Sequence, residues 1–131
     1  MDEQRLTEEL ALLRAAYPDL EDRRADGAVW ARIPAYPVPD GWSAPSVEIA
    51  FQIPILAGQA PYAFCVRPPL KLANGNAPSN YTLTATTPWG GDFAQFSWSP
   101  LEPWIPKANL REGANMLNFA RSFADRFREL A

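Results

Sequence analysis

Whatever chemistry this chain performs, it performs without histidine, for none of its 131 residues is one. That removes Ser-His-Asp and Cys-His nucleophilic catalysis, histidine acid–base work and every zinc site that needs an imidazole. Cys65 stands alone, which excludes an internal disulfide and a four-cysteine zinc site. Within YAFCV it reads as a small sulfur packed like a hydrophobe. Gly90-Gly91 is too short for a phosphate-binding loop and is followed by no Lys-Ser/Thr, so no nucleotide, cofactor or metal is expected. Any proton transfer would fall to a carboxylate, a lysine or a substrate amine.

Two helices and a run of strands must position these groups. Leu6, Leu10, Leu13 and Tyr17 recur at spacings of four, three and four, so residues 3–16 read as a helix that Pro18 stops. Glu3, Glu8 and Glu9 fall early in it, where they suit the positive end of the helix dipole. The polar segment 19–27 reads as a loop. Residues 28–35 read as a strand, with Pro34 suggesting an edge or an end. The alternation of Val47, Ile49, Phe51 and Ile53 with Glu48, Ala50 and Gln52 is the cleanest strand signal. Residues 62–66 read as a further strand, with Tyr62, Phe64 and Val66 on one face and Ala63 and Cys65 on the other. Segments 81–87 and 93–98 flank Gly90-Gly91-Asp92 and suggest a hairpin. Residues 99–113 read as a proline-rich loop. The closing helix, 114–130, carries Met116, Phe119, Ala120, Phe123, Phe127 and Leu130 as its apolar stripe and leaves Arg121, Arg126 and Arg128 for solvent. This order predicts an α+β domain spanning 1–131, an antiparallel meander covered by helices on one side.

Composition narrows the partners. Hydrophobic residues make up 47%, enough for a real core. Lys+Arg number 12 against Asp+Glu 15, a net charge of −3 that supplies no basic face for nucleic acid. No stretch approaches the roughly 18 continuous apolar residues of a membrane span. The acidic start, Met-Asp-Glu-Gln-Arg, is unlike a secretory signal. A cytoplasmic protein without nucleic-acid or membrane partners is expected.

Several short motifs in this order resemble the ubiquitin-conjugating (E2/UBC) superfamily. Phe51-Gln52-Ile53-Pro54, with Pro61 beyond it, looks like a degenerate Phe-Pro-x-x-Tyr-Pro run; Pro78-Ser79-Asn80 stands where E2s carry His-Pro-Asn; Trp104-Ile105-Pro106 is similar to the Trp-Ser-Pro after the active-site segment. Pro61-Tyr62-x-Phe64, Pro78-x-Asn80-Tyr81, Gly90-Gly91, Phe96-Ser97-Trp98 and Gly113-x-Asn115-x-Leu117-x-Phe119 resemble the divergent bacterial branch called prokaryotic E2 family E. The resemblance covers residues 30–128.

What the resemblance implies is a UBC-like fold: an N-terminal helix, a four-stranded meander, a long active-site loop or hairpin and a C-terminal helix. It implies a bacterial ubiquitin-like conjugation pathway whose other members are an E1-like adenylating enzyme, a ubiquitin-like protein and a JAB-type metallopeptidase. The family cysteine is missing: its position falls on Phe96, and Cys65 lies before Asn80 instead of after it. Ser97, adjacent to that position, or Ser99 would then hold the ubiquitin-like C-terminus as an oxyester. Alkoxide is harder to form than thiolate and leaves less readily, so the serine would need activation, with Asp92 and Glu102 the nearest carboxylates in sequence. Asn80 would correspond to the oxyanion-stabilising amide. Trp98, Trp104 and Pro106 would pin the loop to the core, and Arg5 and Arg14, on the exposed side of the first helix, would meet the E1. The alternative is an inactive E2/RWD-like adaptor that binds the E1 or a second E2-like protein.

Overall fold

A computed structural model describes residues 1–56, 58–100 and 102–131. Helix α1 spans Glu3–Ala16; Asp2 caps it by accepting the Arg5 N–H at 2.7 Å, and Leu6, Leu10 and Leu13 are buried. Strands β1 (Glu21–Ala25), β2 (Ala28–Pro37), β3 (Ser46–Ile53), β4 (Phe64–Arg67), β5 (Tyr81–Thr87) and β6 (Gly90–Phe96) follow, then a 3₁₀ turn at Leu110–Glu112 and helix α2 at Met116–Arg128. The sheet is antiparallel, with strand order β1-β2-β3-β4-β6-β5. The fold is α+β, with six strands among the described residues where the resemblance implied four. Among the described residues no helix is long and apolar enough to cross a membrane.

The segment 19–27 is a strand and a turn, not a loop. Asp26 and Gly27 both have positive φ, 51° and 78°, the primed two-residue turn that matches strand twist. β1, Glu-Asp-Arg-Arg-Ala, has no apolar alternation to read because it is an edge strand with its side chains in water and in ion pairs to α1. Pro34 lies past the last β1–β2 pair and inside the irregularity between Ile33 and Tyr36, so its missing N–H breaks no ladder.

Both helices pack on one face of the sheet. Alternation sends Ala31, Ile33, Ile49, Phe51, Ile53, Phe64, Val66 and Phe96 to that face, where they meet the leucines of α1 and Phe119, Phe123 and Phe127 of α2. The Phe64 and Phe123 rings stack at 4.2 Å. Two polar pins hold α2 there: Tyr36 Oη donates to the Ala120 carbonyl and Trp42 Nε1 to the Phe127 carbonyl, each at 2.7 Å. The α2 stripe differs from expectation at its end. The helix stops at Arg128 with Leu130 exposed, while Arg126 is buried at 3% exposure.

On the other face, Ala50, Cys65 and Phe93 form a smaller buried cluster beneath Trp30, Ala85 and Trp89. The end of the β5–β6 hairpin supplies the last two of these. It reaches back to β1, where Trp89 Nε1 donates to Glu21 at 3.2 Å and Arg23 donates to the Pro88 carbonyl at 2.8 Å.

Replacing Phe123 with alanine removes the ring that α2 inserts between Phe51 and Phe64. A loss of about 3–5 kcal/mol is expected in chemical denaturation; a loss below about 1 kcal/mol would show that α2 does not depend on this contact.

Candidate functional site

Two of the residues implicated by resemblance, Asn80 and Ser97, meet through their backbones at one end of the β5–β6 pair. Tyr81 pairs with Phe96, and one step further the Ser97 N–H donates to the Asn80 carbonyl at 2.9 Å. Ser97, Ser99 and Asn80 are all exposed. Asn80 adopts positive φ, 53°, a conformation asparagine tolerates better than most residues, which is a local reason for its presence. Arg126 holds the preceding residue in place: its guanidinium donates to the Ser79 carbonyl at 2.9 Å while lying over the Phe96 ring at 4.9 Å.

The groups needed for acyl transfer do not assemble there. Among the described residues neither Ser97 Oγ nor Ser99 Oγ is hydrogen-bonded to a carboxylate, a lysine or the Asn80 amide. Asp92 is the third residue of β6 and is bonded to Arg67 at 2.8 Å; Ser97 follows the strand's other end, about 17 Å away at the rise of an extended strand. Glu102 lines a groove of about 580 Å³ with Trp98 and Trp104, and neither serine lines it. Cys65 is buried on the outer face, and burial pushes its thiol up to about 11, far from a working thiolate.

Trp98 is anchored: its indole N–H donates to Ser122 Oγ at 3.0 Å, and its carbonyl accepts the Ala63 N–H at 2.7 Å. Trp104 is half-buried against the core and Pro106 is exposed. Arg5 is not on an exposed face, as expected, but turned inward. It donates to the carbonyls of Lys107 and Ala114, joining α1 to the segment before α2. Arg14 pairs with Asp22 of β1 and keeps 44% of its side chain exposed.

Glu9 departs furthest from expectation. It is 1% exposed, and its carboxylate accepts the Met116 N–H at 3.2 Å with Arg5 Nε at 4.0 Å. It therefore caps the N-terminus of α2, beside Asn115, whose side chain accepts the Asn118 N–H at 2.8 Å. Desolvation outweighs Arg5 and the Met116 N–H, and the Glu9 carboxyl is raised above its ordinary value. A signal existed in the spacing: Leu6, Glu9 and Leu13 are three and four apart and share the apolar face. Arg126, three residues after Phe123, carried the same signal.

Glu9 and Arg5 lie at the bottom of a cleft of about 480 Å³, between the start of α1, the residues Pro54, Leu56, Gly58 and Gln59, and the segment 104–108. Its walls include Met1, Pro54, Leu56, Trp104 and Pro106, and Leu56 is 68% exposed. A second groove, lined by Ala11, Leu12, Ala15, Ala108 and Leu110, continues along α1 and shares Glu8 and Ala108 with the first. The cleft combines these apolar walls with the charged side chains of Arg5, Glu8, Glu9 and Lys107. Among the described residues no cluster of three or more acidic or sulfur ligands could hold a metal.

On the outer face, an ion-pair ladder that the sequence reading passed over crosses five strands. Arg32 Nη1 lies 3.4 Å from Glu21, Arg32 Nε bonds Glu48 at 2.8 Å, and Arg67 bonds both Glu48, at 2.9 Å, and Asp92. Hydrogen bonds from Arg67 hold the Glu48 carboxyl below its ordinary value, with Arg32 adding to the effect.

The two glutamates predict opposite pH dependences. Glu9 has a raised folded-state pKa, so its ionised form costs stability, and that cost disappears as pH falls through the raised pKa. Glu9→Gln keeps an acceptor for Met116 and should raise the melting midpoint at pH 7, the gain shrinking toward acid pH. Glu48 has a lowered pKa, so its contribution is present above the ordinary carboxylate range and is lost as pH falls through the folded value. Glu48→Gln should lower the midpoint at pH 7, with the difference fading in acid. Melting curves between about pH 2 and pH 8 distinguish the two, and equal slopes would contradict both assignments.

Comparison with protein-family models, with curated proteins and with solved structures finds no match for this chain.

Proposed function

We propose that this chain is a UBC-like domain of a bacterial ubiquitin-like conjugation pathway, retained as a non-catalytic adaptor. The fold reading is supported by element order: α1, the consecutive meander β1-β2-β3-β4, a hairpin, Trp104-Ile105-Pro106 and a helix packed across the sheet. β6, not β5, lies beside β4, so the hairpin extends that meander as an added pair.

One observation carries the adaptor reading. The exposed hydroxyl of Ser97 has no hydrogen-bonded base among the described residues, with Asp92 bonded to Arg67 at the far end of the strand. An unactivated serine is a poor acyl acceptor. The cleft between α1 and the two neighbouring segments offers instead what a partner surface needs. It has apolar side chains over a fixed floor, with Leu56 at 68% exposure. The partner on this reading is the E1-like adenylating enzyme or a second E2-like protein. A second reading, an E2 that carries its ubiquitin-like protein as an oxyester on Ser97, is favoured by the contact between Ser97 and Asn80.

Intact mass and gel filtration after incubation with ATP, the E1-like enzyme and the ubiquitin-like protein separate the two. The adaptor gains no mass and co-elutes with the E1-like enzyme or the second E2-like protein. Leu56→Asp, a change at an exposed position, weakens that association by about tenfold or more. A gain of one ubiquitin-like chain that resists thiols, is cleaved by hydroxide and disappears in Ser97→Ala would replace the adaptor reading with the oxyester one. Absence of both adduct and association would reject both.

A further inference from the structure

Ala50 and Cys65 belong to the sheet face turned away from both helices, yet they are 0% and 3% exposed. Their cover comes from Phe93, from the neighbouring Trp30, and from Ala85 and Trp89 of the β5–β6 hairpin. We propose that the hairpin tip, Thr87–Asp92, is a charge-latched flap that opens as a unit and uncovers the strip formed by Trp30, Ala50 and Cys65.

The latch consists of polar contacts at the tip. Arg67 donates to the Trp89 carbonyl at 3.0 Å and pairs with Asp92 at 2.8 Å. Arg23 donates to the Pro88 carbonyl at 2.8 Å and lies over the Trp89 ring at 5.2 Å, while the Trp89 indole N–H meets Glu21 at 3.2 Å. Asp92 and Glu21 keep 70% and 53% of their side chains exposed, so water and salt compete for them, and exposed pairs individually add little. Gly90 seats the latch. Its φ is +136°, a conformation that side chains strain to adopt, and a Cβ there would stand 2.9 Å from Asp92 Oδ1 and 3.1 Å from Arg67 Nη1, so the pair would have to shift to admit one.

The root of the hairpin is built differently. Ala94 and Phe96 pair with β4, and Phe96 is packed among Phe64, Tyr81 and Phe127. Between root and tip the β5–β6 register shifts twice, between Thr82 and Ala85 and between Ala85 and Thr87. Such irregularities bend a ribbon and interrupt its ladder, which places the hinge there. A tip held by charge, a root held by aromatic packing and a break between them make a part that moves without the core. Beneath it, the strip adjoins a cleft of about 360 Å³ lined in part by Trp30, Ala50, Cys65 and Gln95, so opening enlarges an existing recess.

Cys65 is the one cysteine in the chain and reports the opening directly. Its labelling by a small neutral thiol reagent is to be timed under native conditions in the wild type, in Asp92→Asn and in Arg23→Gln. The control is Asp125→Asn, which removes an exposed pair elsewhere on the surface. Loss of one latch contact should speed labelling about three- to fivefold, as should about 1 M salt acting on the wild type, while the control leaves the rate unchanged. Equal rates in wild type and latch variants would overturn the proposal. So would a control as fast as the latch variants, or labelling that follows global unfolding in denaturant. The salt measurement needs no variant and stands even where a substitution fails to fold.

Discussion

The position of α2 across the sheet is the constraint on which the rest of this molecule depends. Phe119, Phe123 and Phe127 enter the space between Phe51, Phe64 and Phe96, and that aromatic layer supplies the area the chain must remove from water. Burying a helix so deeply brings its termini inside with their unpaired N–H and carbonyl groups, and each end is answered by a charge. Glu9 takes the Met116 N–H at one end, and Arg126 takes the Glu129 carbonyl at 3.0 Å at the other. Neither charge is buried cheaply, yet removing the helix contacts they satisfy would cost more.

From those two anchors the surface follows. Glu9 ties α1 to α2, and Arg5 beside it ties α1 to the segment before α2, so the floor and one wall of the 480 Å³ cleft are set by the core. Arg126 positions Ser79, and through it Asn80 and the exposed end of β6 with Ser97. The two surfaces to which a function can be ascribed are each one hydrogen bond away from a buried charge. The outer face is organised on another principle, a ladder of partly buried arginines whose exposed end carboxylates, Glu21 and Asp92, are soft toward salt where the core is not.

Much of the fold was legible because burial writes a period into sequence. The leucines of α1, the alternation of β3 and the aromatic stripe of α2 each repeat at the spacing of the face they bury, and all three elements stand where that spacing put them. β1 leaves no apolar pattern to read because nothing in Glu-Asp-Arg-Arg-Ala is buried, and an edge strand whose side chains pair by charge shows little beyond its Asp-Gly turn. Glu9 and Arg126 were misread for the reverse reason: they occupy buried helix positions, and charged residues are expected outside. The backbone contact between Ser97 and Asn80 follows from the β5–β6 register.

By itself the sequence determined the fold class, the two helix faces and the exclusion of histidine chemistry, since composition and period depend only on which residues are present and how far apart they stand. Which carboxylate is buried, which arginine faces inward and what covers Cys65 were decided only in three dimensions. Those depend on contacts between residues far apart in the chain: Glu9 with Met116, Arg126 with Ser79, Trp89 with Glu21. Local pattern records whether a position faces water; it does not record which distant group arrives to pair with it.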